Sequence, residues 1–559
     1  MQLRRPGGGI AWPFLAGFLG ALAFLLTIGG KPLIPDNIAW LQIGDATMYY
    51  LGWGFYRSEP WQIPPGASTY YGIELSNAIF YTDSIPLLAV PLKLCSFALG
   101  PVFQYFGYWL LICFVLQGIA SWLLINRYAT SHVVKLGFVV LCLFIPLFLG
   151  RIIESGHYAL AGQFLILLAL YGYGNQSLRF PSTFWAIIVS ASAVTQPYLL
   201  VMVAGIWVAH VVQTALARHV SAFVLLKSIV IVPVATLVVM WAAGAFTLGS
   251  GYESSGYGTY RANLFAPFDG RLWSYFWPTV PKTATEFAGS NFCGTGFLVI
   301  YFVAISLLLA GKATLQWSRK YVPLMLVLSG MFLFALTNEV SVGPFLFELP
   351  LDDRLERIAN LLRASERFLW PVTYAVSVLA IVVVARGLRP FACCIVVVVA
   401  AVLQVIDTGY GWRNLRVRFD LNAPTWTTPL TSEFWKVAAI GKKSVRRIPT
   451  GNATQENDVI AYYALTHGLV TDSVNQSRMN PDKLATVNVA GNEAVATGQY
   501  EPDVLYVLSP ELVDNAKRSL RHGDALVSVD GFFVLAPRWL ECQPCASVPV
   551  KIVADEGPP

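Results

Sequence analysis

The chain has 559 residues, of which 56% are hydrophobic and only 13% charged, with a net charge of +6. Soluble domains carry about a quarter charged residues, so this balance excludes an ordinary soluble enzyme and a disordered chain. Eight cysteines spread over this length do not make a disulfide framework.

A helix that crosses a bilayer needs about 20 mostly apolar residues. Runs of this kind fall at 10–30, 103–125, 136–150, 159–173, 183–196, 198–216, 224–246, 292–311, 321–337, 369–385 and 391–406. They predict a polytopic α-helical membrane protein with about eleven transmembrane helices. The pair around Pro197 reads as one long helix or as two broken at that proline. The first run follows Arg4 and Arg5 and ends at Gly29-Gly30-Lys31-Pro32. No small-residue cleavage pattern follows it, so it reads as an uncleaved span rather than a signal peptide. The stretch 84–100 is apolar but short, with Pro86, Pro91 and Lys93, and reads as interfacial or re-entrant.

Charge placement orients the map. The segments on one side hold Arg4, Arg5, Arg127, Lys135, Arg179 and Arg218, then Lys227, Lys312, Arg319, Lys320, Arg386 and Arg389, and no acid. All 32 Asp and Glu residues fall in segments on the other side, none inside a span. Basic residues near span ends stay cytoplasmic, which predicts a cytoplasmic N-terminus and an extracytoplasmic C-terminus. The expected organisation is a transmembrane domain over 1–406, with large outer loops at 31–102, 247–291 and 338–368, and a periplasmic C-terminal domain over 407–559.

The first outer loop carries Gly44-Asp45-Ala46-Thr47, Arg57, Trp61, Glu74 and Tyr81-Thr82-Asp83-Ser84. The second is rich in glycine and aromatics, from Ser250-Gly251-Tyr252-Glu253 through Arg261 and Arg271 to Trp277. In the third, Leu355, Ile358, Ala359 and Leu362 recur at helical spacing among Arg354, Arg357, Arg363 and Arg367, the pattern of an interfacial amphipathic helix. In the tail, 504–508 and 531–535 read as strands, and Leu512, Ala516 and Leu520 hint at a short helix between them. That domain is expected to be α+β.

Inner loops are short and basic, so chemistry belongs to the outer loops. Asp45 can serve as a general base on a hydroxyl or as a ligand to a divalent cation; it can equally cap a helix over 46–57. Asp83 offers a second carboxylate, or an N-cap with Pro86 early in the next helix. Glu154 and His157 share a short outer turn. His157 suits a metal or a phosphate, and both residues suit a capping cluster. Arg363 and Arg367 lie four apart on one helix face, where guanidinium forks match a lipid phosphate or simply snorkel to headgroups. Arg57, Arg261 and Arg271 are weaker candidates of the same kind. Cys542-Gln543-Pro544-Cys545 suits a structural disulfide in an oxidising compartment. Asn452 and Asn475 open glycosylation-type triplets. Walker A, HExxH and GxSxG motifs are absent from the sequence, and no basic-aromatic patch points to nucleic acid.

The stretches GDATMYYLGWGFYR, YTDSIPLLAV, ESGHYALAGQF, SGYGTYRANLFAPF and RASERFLWPV resemble a bacterial family of multispanning proteins placed near the GT-C superfamily. A first span followed by a large outer loop opening on Asp resembles GT-C itself, the membrane glycosyltransferases that use polyprenyl-phosphate sugars. The likeness covers roughly 10–410. It implies that Asp45 acts as base or metal ligand and that Asp83 takes the second polar position. It also implies that Arg363 and Arg367 steady the departing lipid phosphate. Where GT-C enzymes carry a tight DxD or ExD pair, this chain has Asp45 followed by Ala46 and Thr47, so dependence on Mg or Mn stays open.

The resemblance implies a glycosyltransferase in a bacterial inner membrane. It would move a sugar from a polyprenyl-phosphate donor to a glycan, lipid or protein acceptor on the periplasmic side, with Arg57, Glu154 and His157 as further substrate contacts. A transporter or flippase of lipid-linked glycans, a polymerase or ligase using lipid-diphosphate donors, and a receptor or scaffold are the alternatives.

Overall fold

The computed structural model describes residues 11–546 and 548, apart from 176–177, 179–180, 218–220, 250–253, 287–290, 316–317, 422–424, 453–454 and 547. Arg4, Arg5, Arg179, Arg218 and the 250–253 segment therefore lie outside the described residues. The chain divides into two compact units. One comprises 1–44, 104–239 and 254–424; the other comprises 45–103, 240–253 and 425–559. Among the described residues there are nine strands, numbered in chain order. They are β1 Ala67–Ser68, β2 Asn77–Ala78, β3 Glu339–Val342, β4 Phe345–Glu348, β5 Ser444–Ile448, β6 Val470–Thr471, β7 Val504–Leu508, β8 Ala525–Val529 and β9 Phe532–Ala536.

The first unit is built of apolar helices. Seven helices of the chain are long and apolar enough to cross a membrane, and four shorter apolar ones accompany them: Ala11–Thr27, Tyr158–Gly174, Pro181–Ala193 and Thr295–Leu309. They fall on the eleven expected runs, but only seven reach spanning length. The run at 136–150 is longer than expected, His132–Ile153. The runs at 183–196 and 198–216 are two helices, with Pro197 as the first residue of the second, the position where its missing N–H is harmless. Apolar side chains such as Phe14, Phe223, Leu226 and Leu237 stay exposed, as lipid-facing residues do. Helices Ala11–Thr27 and Phe106–Ile125 approach closely because small residues line the contact. A Cβ at Gly20 would stand 2.2 Å from the Phe114 carbonyl oxygen, and one at Gly118 2.3 Å from that of Ala16. These features make the chain compatible with a multi-pass membrane protein.

One expectation is corrected here. Asp407 and Glu366 are not in loops: Asp407 lies inside the helix Pro390–Leu415, and Glu366 opens the apolar stretch Ser365–Gly387. Both are buried. Asp407 is held by Ser274 Oγ at 2.7 Å, Tyr275 N at 2.8 Å, Phe276 N at 3.3 Å and the Thr295 hydroxyl. A buried carboxylate needs donors of this kind to offset its burial. The amphipathic helix forms at Asp353–Asn360, with Leu355 and Ile358 exposed, as an interfacial face requires.

The second unit is α+β. Its five-stranded sheet runs β6-β5-β7-β9-β8. Strand β5 lies parallel to β6 and β7, and β9 lies antiparallel to β7 and β8. Helix Gln455–His467 links β5 to β6, and helix Pro481–Thr497 links β6 to β7; both are βαβ crossovers. The expected strands at 504–508 and 531–535 are β7 and β9, and the expected short helix is Val513–Ser519. Cys542 and Cys545 form the disulfide that their spacing suggested.

The division at 406/407 read from the sequence differs from the division into units. Residues 45–103 and 240–249 are tied to the tail and to each other by hydrogen bonds, including one bridge to β6. Thr471 N donates to the Tyr70 carbonyl at 3.0 Å, and Gly72 N to that of Thr471 at 2.8 Å. Gly66 N reaches Ala242 O at 2.7 Å, and Asn480 Nδ2 reaches Leu248 O at 3.2 Å.

Candidate functional site

Asp45 immediately precedes the helix Ala46–Ser58, and its carbonyl accepts the first helical bond from Tyr49 N at 3.3 Å. Its side chain accepts no capping bond, so the capping alternative fails even though the helix begins where that reading put it. Gly44 before it takes φ +55°, a turn conformation that suits glycine. Most of the helix is buried, with Tyr49, Trp53, Phe55 and Tyr56 nearly inaccessible.

Two glycines determine what packs on this helix. A Cβ at Gly52 would stand 2.3 Å from Thr82 Oγ1 and 2.7 Å from Ser84 Oγ. The bare backbone thus admits the turn that carries Asp83. Ser84 Oγ then donates to Tyr49 O at 2.8 Å. A Cβ at Gly54 would meet Leu465 Cδ2 at 2.5 Å, so this glycine admits helix Gln455–His467. Asp83 has φ +51°, and the next helix starts at Pro86 with Ile85, not Asp83, as its N-cap. The capping alternative for Asp83 is therefore corrected as well.

Helix Gln455–His467 brings a carboxylate that sequence reasoning missed. Asp458 faces the charge of Asp45. Burial, opposed by a hydrogen bond from Asn475 and reinforced by the negative charge of Asp45, pushes the Asp458 carboxyl up to about 6. Asn475 Nδ2 donates to Asp458 Oδ1 at 2.8 Å. The amide of Asn475 is itself oriented, because its Oδ1 accepts from Asn457 Nδ2 at 3.1 Å. Asn457 is fixed in turn by Arg447 Nη1 at 2.8 Å and by the Gly451 carbonyl at 2.8 Å. Gln476, beside Asn475, is 4% exposed. Among the described residues, neither its amide oxygen nor its amide nitrogen has a hydrogen-bond partner.

This cluster follows the carboxyl ends of the parallel strands β5 and β6. In open α/β sheets that is where ligands bind. A buried amide without partners at such a place is costly unless something else completes it.

The other predicted residues are engaged elsewhere. Arg57, in the last turn of the Asp45 helix, donates to Gly100 O at 2.9 Å. It stacks on Trp53 and Phe103 at 5.7 and 5.8 Å. In the first unit, Glu154 accepts from Arg271 Nη2 at 2.9 Å and Trp273 Nε1 at 3.1 Å, while Arg418 donates to its carbonyl at 2.7 Å. Glu154 and Arg271 thus tie loop segments together. Arg261 is fully buried and spends its guanidinium on Ser341, Gly258, Glu339, Thr283 and Thr285. His157 N donates to Arg151 O at 2.9 Å, so the Glu154–His157 turn is closed by backbone. Arg363 donates to Ser255 O at 3.4 Å.

Arg367 lies 4.5 Å over the Tyr198 ring and 3.9 Å from Glu366 Oε1. Glu366 is paired at 2.8 Å with Arg151, a second residue that sequence reasoning missed. Its signal was available: Arg151 is a cation at the apolar end of a run where the positive-inside pattern predicted none.

The structure thus gathers Asp45, the Asp83 turn and Asp458 into one unit, and places Glu154, His157, Arg363 and Arg367 in the other. Among the described residues no three His, Cys, Asp or Glu side chains group as a metal site. Asp45 and Asp458 supply two carboxylates, one already bonded to Asn475. Mg is commonly held by one or two carboxylates together with water and substrate phosphate, so this donor set neither demands nor excludes a cation.

A comparison with curated proteins finds no match. The family model described as domain of unknown function DUF6311 matches residues 17–409, and the model for the DUF6311 C-terminal domain matches residues 434–537. The chain belongs to the DUF6311 family.

Proposed function

We propose that the protein is a membrane glycosyltransferase of GT-C type that moves a sugar from a polyprenyl-phosphate donor to an acceptor hydroxyl. The observation that carries this reading is the Asp45–Asp458 carboxylate pair. The negative charge of Asp45 adds to the burial that raises the Asp458 carboxyl to about 6, so Asp458 titrates between the usual carboxylate range and neutrality. Asp45 accepts the acceptor's hydroxyl proton. The freed oxygen attacks the anomeric carbon, and the bond from that carbon to the carrier phosphate breaks, its electron pair leaving with the phosphate. Asp458, oriented by Asn475, lies within electrostatic reach of Asp45. Asp83 is the second candidate base. Guanidinium groups oppose the charge that develops on a departing phosphate, the role that the resemblance implies for Arg363 and Arg367.

In the same proposal all eleven apolar helices cross a bacterial inner membrane, the N-terminus is cytoplasmic and the C-terminus periplasmic. The four short helices cross where the local bilayer thins or the helix ends are hydrated.

The test is reconstitution of the purified protein in liposomes with polyprenyl-phosphate sugars and a cell-envelope acceptor fraction. Transfer by the native protein, lost in Asp45→Asn with unchanged thermal unfolding, supports the reading. Equal transfer by Asp45→Asn rejects it. Asp458 takes up its proton as pH falls through about 6, so any inflection of the transfer rate there should be absent in Asp458→Asn. A flippase is the second reading, favoured by one observation: the Arg151–Glu366 pair buried in long apolar helices, since ionisable groups at such depth mark pathways. Carrier flipping without sugar transfer in the same liposomes would select it. A polymerase or ligase would consume lipid-diphosphate donors instead.

A further inference from the structure

Within the second unit a cavity of about 440 Å³ opens between helix Pro481–Thr497, strands β5 and β7, and Glu74. It shares Asp472 with the strand ends but none of the residues assigned above. Its size falls in the range of small-ligand sites.

The lining chemistry selects a ligand class. Four carboxylates line it: Glu74, Asp472, Asp482 and Glu501. Its three cations are each bonded to the protein. Arg446 holds Glu74 through both terminal nitrogens, at 3.1 and 2.6 Å. Arg447 holds Asn457 and Glu456, and Lys483 holds Ser76. An anion would meet four carboxylates with no cation to spare. A metal ion would meet Arg446. A greasy ligand would cover charged walls, which costs several kcal/mol of desolvation.

A neutral ligand with many hydroxyls fits. Arg446 Nε is buried and has no hydrogen-bond partner among the described residues. Asp472 Oδ2 lies 3.9 Å from Arg446 Nη1, beyond hydrogen-bond length, and offers acceptor capacity at the base. Ile448, Val487, Ala490, Gly491 and Ala494 give an apolar wall for the carbon face of a ring. Glu501 and Gln499 stand exposed at the rim.

We propose that this cavity is a binding site for a neutral saccharide. Its assignment as the acceptor site rests on the transferase reading; saccharide binding does not.

The experiment uses the full chain in detergent micelles on a printed array of neutral and acidic bacterial oligosaccharides. The variants are Glu501→Gln and Ala494→Trp, both at partly or fully exposed positions, with Asp514→Asn as a distant control and thermal unfolding measured for each. The expected result is retention of neutral glycans by the native protein and the control, and weakening by about tenfold in Glu501→Gln, the scale of one charged hydrogen bond. Ala494→Trp, which fills the groove, should abolish retention. No retained glycan, retention of acidic glycans only, or undiminished binding by Ala494→Trp overturns the proposal. Asp45→Asn should bind like the native protein. Cavity-dependent binding without any sugar transfer would remove the transferase reading and leave this site standing.

Discussion

Arg261, Glu154 and Asp407 in the helical unit and Asp458 and Asp472 in the α+β unit treat charge differently. In the helical unit, Arg261 and Asp407 have every charged atom answered by a hydrogen-bond partner, and Glu154 is clamped by Arg271, Trp273 and Arg418. These groups act as struts for loops and helix ends. In the α+β unit burial pushes the half-buried Asp458 up to about 6 and the fully buried Asp472 up to about 7. Groups that titrate in this range can exchange protons with a ligand or solvent, whereas saturated ion pairs hold shape. The contrast tells which carboxylates to suspect of chemistry, and the sequence alone cannot draw it.

The sharpest break comes from Asp45→Asn. Transfer should drop by about 10²- to 10⁴-fold, the scale of a lost general base, with the unfolding midpoint unchanged. A lowered midpoint would turn Asp45 into a strut like those of the helical unit. Arg261→Met tests the opposite side. Removing it strands the Glu339 carboxylate and two threonine hydroxyls, at a cost of about 3–5 kcal/mol. Thermal unfolding in detergent should record a large loss, and any surviving protein should keep its transfer rate.

Asp472 gives a smaller and pH-dependent effect. Burial dominates its environment, opposed by the Arg447 N–H and the Arg446 charge and reinforced by Glu74. Its folded value lies above the unfolded one, so the proton stabilises the fold and stability falls as pH rises from about 4 to about 7. Asp472→Asn should remove that slope, gaining on the order of 2–4 kcal/mol over the native protein between the two ends. Parallel curves would mean that Asp472 is fully compensated after all. The smallest effect belongs to Cys542→Ser with Cys545→Ser. The closed loop is so short that its loss costs about 1–2 kcal/mol, visible as a slight shift in unfolding with unaltered transfer.

Much of the helical unit was legible because membrane-length apolar runs need no tertiary information. The error at Asp407 has a physical origin. The run stops being apolar at residue 406, but the helix continues to Leu415 because loop donors satisfy the acid. In the α+β unit, β7 and β9 were readable as continuous apolar stretches. Strand β5 was not, since Arg446 and Arg447 disguise it, and β6 has only two residues. Asp45 was singled out for its place after the first span, and the structure gives it a carboxylate neighbour. That neighbour, Asp458, could not be read, because their proximity depends on Gly54 letting one helix settle on another. Arg57 looked like a phosphate ligand only because a sequence does not reveal that the Gly100 carbonyl already holds it.

The second unit is assembled from three stretches separated by most of the chain. The ribosome therefore delivers the loop bearing Asp45 long before the strands whose edge it joins. Until β6 arrives, the Tyr70 carbonyl and the Gly72 N–H lack the backbone partner they have in the finished fold. A chain released before residue 470 could retain every apolar helix and still leave its foremost carboxylate unsupported. Synthesis order thus leaves the second unit incomplete until translation is nearly finished.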